Sequence, residues 1–175
     1  MADPLRFDAA HLDWVGHLPF AAIHIRNLKA GSDEFPLVEG GNLDLILRPL
    51  ALLRNEVVIK YLELSNADIN VNRLQDRWTY EIMADQPKES EDGRFSTSIQ
   101  KLILRNCFLK FNDNDGLAMA MMIEEAGSRG DINVEHIRLD IEAKVTFDEL
   151  ILRGDSLVHT SLPVRLDGQY RMDHK

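Results

Sequence analysis

The chain has 175 residues, 45% hydrophobic and 28% charged, with a formal net charge of -9, a pI near 5.1 and one cysteine. That length suits one domain with a moderate core, and the acidic balance without a basic stripe excludes phosphate-driven nucleic-acid binding. One cysteine excludes an internal disulfide, and no run reaches the roughly eighteen apolar residues of a membrane-spanning helix.

The opening MADPLRFDAAHLDW has neither a basic n-region nor an apolar h-region, so it does not read as a secretory leader. Taken literally, it predicts a cytoplasmic protein. Residues 8 to 18 are expected to form a short helix. Phe20, Ile23, Ile25 and Asn27 follow as an apolar strand that ends in asparagine. After Gly40-Gly41, Leu43, Leu45 and Leu47 alternate with Asp44 and Ile46, the period of a strand with one buried face. RPLALLRN at 48 to 55 predicts a helix, with Pro49 in its first turn and Leu50, Leu52 and Leu53 as its apolar side.

Residues 59 to 72 read IKYLELSNADINVN, and forty positions later the chain reads IQKLILRNCFLKFN. The two align without a gap: Ile59 with Ile99, Leu62 with Leu102, Leu64 with Leu104, Asn66 with Asn106. In both, apolar positions switch from one parity to the other across the asparagine. Leu62 and Leu64 are in phase before it, and Ala67, Ile69 and Val71 after it. Side chains alternate strictly along a strand, so an odd shift requires a corner or bulge. Asparagine suits one, because it tolerates left-handed backbone. Asn27 opens the same pattern earlier, and Phe147, Leu150, Leu152 and Gly154 repeat it later, where glycine supplies the same freedom. Repeat units thus begin near 20, 59, 99 and 147, and a fixed period of this length marks a repeat architecture.

Each central copy runs into a turn, QDR at 75 to 77 and DNDG at 113 to 116, then a returning strand. WTYEIM aligns Trp78, Tyr80 and Ile82; LAMAMMI aligns Leu117, Met119, Met121 and Ile123. Residues 84 to 97, polar and acidic, predict a flexible loop within a single domain spanning 1 to 175. Further strands are expected at 132 to 145 and 162 to 172. Cys107, in a strand context, is expected to be a small buried side chain.

Chemistry is sparse. The six histidines show no metal-ligand spacing. Asp113, Asp115 and Glu124 imitate a calcium loop, but Ala118 stands where the sharp glycine turn belongs. The Arg-Gly-Asp tripeptides at 129 to 131 and 153 to 155 carry no weight. No phosphate loop, dinucleotide fingerprint or nucleophile elbow is present, so no enzyme, cofactor or metal is expected. With too few helices to cover the strands, the sheet must close on itself or curl into a trough. The fold expected is therefore mainly β: a repeat-built, curved antiparallel sheet with one or two short helices.

The order IHIRNL, GGNLDLIL, RPLALLRNEVVI and YLELSNADINVNRLQDRWTYEI resembles the N-terminal region of AsmA-like proteins, the group that includes TamB and YhdP. The stations are Pro49-Leu50, the strand Ile59 to Leu64, the corner and strand Asn66 to Val71, Arg73 and Trp78. Gln75-Asp76-Arg77 departs from the Gly-Asn that the family often has there. The resemblance covers about 18 to 112. It implies a bridge-like lipid-transfer groove in the periplasm, a parent chain anchored in the bacterial inner membrane, a role in envelope biogenesis and outer-membrane phospholipid traffic, and this chain as a fragment of that parent.

The expected function is therefore non-enzymatic binding or transfer of phospholipid or another acyl lipid. The expected lining is Leu43, Leu45, Leu47, Leu62, Leu64, Ile69, Val71, Leu102, Leu104, Leu109, Phe111, Met119 and Met121, with corners at Asn27, Asn66, Asn106 and Gly154. The alternative is an assembly module whose sheet edges pair with neighbouring repeats or an envelope protein.

Overall fold

A period of two places every second side chain on one face, so this sequence is committed to strands that need a cover for their apolar side. The computed structural model describes residues 5–14, 20–32, 35–74, 77–79, 96–132, 136–158 and 160–173. Their strands form a strongly curled open sheet, a half-barrel.

The first half of the sheet consists of long strands, each divided by a corner. These are β1 (Leu5–Arg6) with β2 (Ala9–Trp14), β3 (Ala21–Arg26) with β4 (Lys29–Gly31), β5 (Pro36–Glu39) with β6 (Asn42–Leu47), and β7 (Glu56–Ser65) with β8 (Asp68–Leu74). On one side of the corners β2, β3, β6 and β7 pair in that order; on the other side β1, β4, β5 and β8 do, all antiparallel. The corners therefore align into one crease across a meander.

β9 (Arg77–Trp78) folds back on β8, and Trp78 stacks on Phe111 with ring centroids 5.3 Å apart. β10 (Ser96–Asn112) then enters parallel to the preceding long strand, pairing first with β7 and, past the crease, with β8. β11 (Leu117–Ile132), β12 (His136–Leu152), β13 (Asp155–Val158) and β14 (Leu162–Asp173) complete the sheet antiparallel: β11 on β10, β12 on β11, and β13 and β14 on β12. The DNDG stretch turns β10 into β11, with Asp113 Oδ1 accepting the Asp115 and Leu117 amides at 2.8 Å. These bonds hold the Asp113 carboxyl below its usual range.

The crease has a backbone signature. Asn27, Asn66 and Asn106 are left-handed, with φ of 52, 55 and 51, and Gly40 and Gly41 lie at 69 and 90. Main-chain bonds continue across it: Leu28 N–H donates to Gly41, Asn66 to Arg105 and Phe108 to Ala67. In β11 the same line is marked by a bulge between Ile123 and Glu125. Each corner thus turns the strand without leaving its backbone unpaired.

Several expectations change. Residues 8 to 18 were expected to be helical, but Ala9–Trp14 is strand β2, because the adjacent β3 supplies a ladder that overrides the helix preference of two alanines. The segment 48 to 55 is a 3-10 helix, Pro49–Arg54; the Asn55 amide bonds back three residues to Leu52, and Asn55 itself is left-handed. Its expected apolar side faces solvent, with Ala51 buried in place of the leucines. Of the strand expected at 132 to 145, Ile132 ends β11, residues 133 to 135 lie outside the described residues, and the rest belongs to His136–Leu152, which absorbs the fourth repeat unit. Gly154 is therefore no mid-strand corner: with Arg153 it makes the tight turn between β12 and β13, at φ 88 and 54. The sheet also contains the parallel seam of β10. Tyr80, Ile82 and most of the loop expected at 84 to 97 lie outside the described residues.

Candidate functional site

Register determines which side chains share a face. On one side of the crease Ile25, Leu43, Leu64, Leu104, Ala126, Ala143 and Leu166 stand opposite one another in sequence across seven strands. On the other side Val38, Ile69, Leu109, Met121, Phe147 and Leu162 form a second such row. Two flanking rows contain Leu45, Leu62 and Leu102, and Val71, Phe111 and Met119. Leu47 lies opposite Ile59. The thirteen expected lining residues therefore share one apolar face, because the parity switch in the sequence is compensated at the crease.

Across β11 and β12 that face is the more enclosed one, and we term it the inner face. Met121, Ile123, Ala143 and Val145 are buried, while Met122, Glu142 and Lys144, which alternate with them, are exposed. Leu28, Leu64, Ala67 and Cys107 join the buried cluster, and Ile25, Leu43, Ile69, Leu104, Leu109 and Met119 pack against it half-buried. Cys107 is fully enclosed, its thiol directed at the Leu64 carbonyl 3.4 Å away. Ser128 interrupts the Leu102 row, and its hydroxyl is buried without a hydrogen-bond partner.

The polar face is organised around the parallel seam. Tyr61 donates to Glu63, and the Arg105 guanidinium binds Glu63 at 2.6 Å and Glu125 at 3.3 Å. Glu63 is only 8% exposed, so its charge is compensated within the sheet. Burial, then the Glu63 hydrogen bond and charge, push the Tyr61 phenol up to about 12. Glu125 and Glu63 hold the Arg105 guanidinium above its ordinary value. Further along, His24 Nδ1 lies 2.5 Å from Asp44. Sequence reading missed this network, although the forty-residue repeat, taken as a pairing register, places Arg105 beside Ser65 and within reach of Glu63.

A hollow of about 520 Å³ also opens on the polar side. Its centre is Gly127, above which there is open space, and Ile103 forms its floor. Lys101, Arg129, Lys144 and Arg165 stand around it together with Glu125, Asp140, Glu142 and Asp167. The signs balance, so the hollow has no preference for an anion or a cation.

Among the described residues no group of three or more His, Cys, Asp or Glu side chains is placed to hold a metal ion. Nor is any described helix long and apolar enough to cross a membrane. The fold is an open β half-barrel, and its apolar side chains share one face in register across the strands. No protein-family model, curated protein or solved structure matches the chain.

Proposed function

We propose that the inner face shields the acyl chains of a phospholipid or similar lipid, and that the chain is a lipid-binding or lipid-conducting segment without bond-breaking chemistry. One observation carries this reading: the in-register apolar rows cross the sheet from Ile25 to Leu166, and the half-barrel that bears them is open. Each methylene sheltered there contributes about 0.8 kcal/mol and needs no hydrogen bond. A lining of Leu, Ile, Val, Met and Phe therefore suits acyl chains of any headgroup. The resemblance to AsmA-like proteins agrees with it and adds a periplasmic location and a longer, inner-membrane-anchored parent. Native mass spectrometry of the purified chain, followed by lipid extraction, tests the reading. Co-purified phospholipid is expected, and lipid-free protein that takes none up from micelles contradicts it.

The exposed edges support a second reading, an assembly module. Leu5 and Leu12 on β1 and β2, and Leu162 and Leu166 on β14, are 47–57% exposed on strands that are outermost among the described residues. Open edges invite pairing with another sheet. Concentration-dependent association without lipid uptake would favour this reading.

A further inference from the structure

The 3-10 helix Pro49–Arg54 presents to solvent three apolar residues that the fold does not use. Leu50, Leu52 and Leu53 are 56%, 47% and 84% exposed, while Ala51 between them is 6% exposed. One exposed leucine is ordinary. Three within four consecutive residues, on a short connection between β6 and β7, make a concentrated patch.

Cations flank that patch in sequence. Arg48 and Arg54 bracket the helix, which has no acidic residue in its first turn; Glu56, the first acid after it, already belongs to β7. The Arg48 guanidinium and the Lys60 ammonium lie 5.9 and 5.6 Å from the centre of the Phe20 ring. Two cations thus bracket the leucines in sequence, and a third joins Arg48 at the Phe20 ring, in a chain whose net charge is -9. The patch also lies at the end of the apolar face, where Leu47 meets Ile59.

We propose that this knuckle docks the end of the half-barrel on an anionic lipid bilayer. Leu50, Leu52 and Leu53 enter the acyl boundary, and Arg48, Arg54 and Lys60 meet headgroup phosphates. The order of layers matches a bilayer, apolar inside and anionic at its surface. An apolar pocket on a protein would accept the leucines but would give no reason for the cations that flank them. The proposal deepens the lipid reading by placing a membrane at the mouth of the trough, and to that extent rests on it.

The test is co-sedimentation of the 175-residue chain with vesicles of phosphatidylcholine and phosphatidylglycerol, or of phosphatidylcholine alone. Binding to the anionic vesicles is expected. Arg48→Gln and Arg54→Gln should each lower partitioning about fivefold, since a cation near an anionic surface is worth roughly 1 kcal/mol. The triple change Leu50→Ser, Leu52→Ser, Leu53→Ser should lower it at least tenfold, with circular dichroism and unfolding midpoint unchanged, because all three side chains are exposed. The idea is overturned if wild type ignores anionic vesicles, binds neutral ones equally, or binds undiminished in the triple variant. Self-association that the triple variant abolishes, without vesicle binding, would also overturn it and give the patch to a second copy. The two lipid readings fail separately. The triple variant should keep its co-purified lipid, whereas Leu62→Gln with Leu102→Gln should lose lipid and keep vesicle binding.

Discussion

Asn66 and Asn106 stand side by side at the crease of the half-barrel, left-handed at φ 55 and 51, with the Asn66 amide bonded to the carbonyl that precedes Asn106. They are also the same position of a forty-residue repeat, and their neighbours pair in the same way: Leu64 opposite Leu104, Ile69 opposite Leu109. The repeat is therefore a pairing register, in which each residue of β10 faces its counterpart in the previous unit. A left-handed conformation costs most residues about 1–2 kcal/mol. Asn66→Val and Asn106→Val should each destabilise by about that amount, and the glycine substitutions far less. Urea unfolding midpoints decide it, and equal loss for Val and Gly would show that side-chain bonds, not backbone conformation, govern these corners.

Gly41 tests the packing of the same crease. A Cβ there would lie 2.6 Å from the Ala67 Cβ and 2.8 Å from the Ser65 carbonyl, at a φ of 90. Gly41→Ala combines backbone strain with overpacking and should cost about 2–4 kcal/mol. Gly154→Ala also lies at positive φ but meets open space, so it should cost only the strain, about 1–2 kcal/mol. Comparing the two in urea separates the contributions.

Tyr61 should titrate late. Its phenol is raised from 10.0 to about 12, by burial first and by Glu63 next. Because the folded value exceeds the unfolded one, the stabilisation is complete below about pH 10 and disappears as pH rises toward 12. In a spectrophotometric titration a phenolate that forms near pH 12 should vanish in Tyr61→Phe. Glu63→Gln should bring that step to lower pH.

Cys107 should resist thiol reagents until the chain unfolds, since it is 0% exposed. Labelling by an aromatic disulfide in rising urea should therefore follow the unfolding curve. Fast labelling in buffer would mean that the inner face opens at the crease.

Much of this was legible in the sequence. Alternation located the strands, and the parity switch at Ser65-Asn66 and Arg105-Asn106 located the crease, because both are consequences of side-chain period alone. Other features depend on partners that a single strand does not reveal. Ala9–Trp14 reads as a helix until β3 is beside it, and Leu50, Leu52 and Leu53 read as a buried side until Ala51 takes that role. Gly154 has the freedom of a corner, yet its place at the end of β12 makes it a hairpin turn. The Glu63–Arg105 pair exists only because β7 and β10 run parallel.

The most direct test of the lipid reading is photo-crosslinking from the two faces of one strand. Benzoylphenylalanine placed at Leu109 on the inner face of β10, or at the exposed Lys110 on the polar side, is irradiated in cells grown with labelled phosphate, and the purified chain is examined for attached lipid. Labelled lipid is expected at position 109 and little at position 110. Equal labelling at both positions, or none at 109 in a protein that remains folded, would contradict the lipid reading.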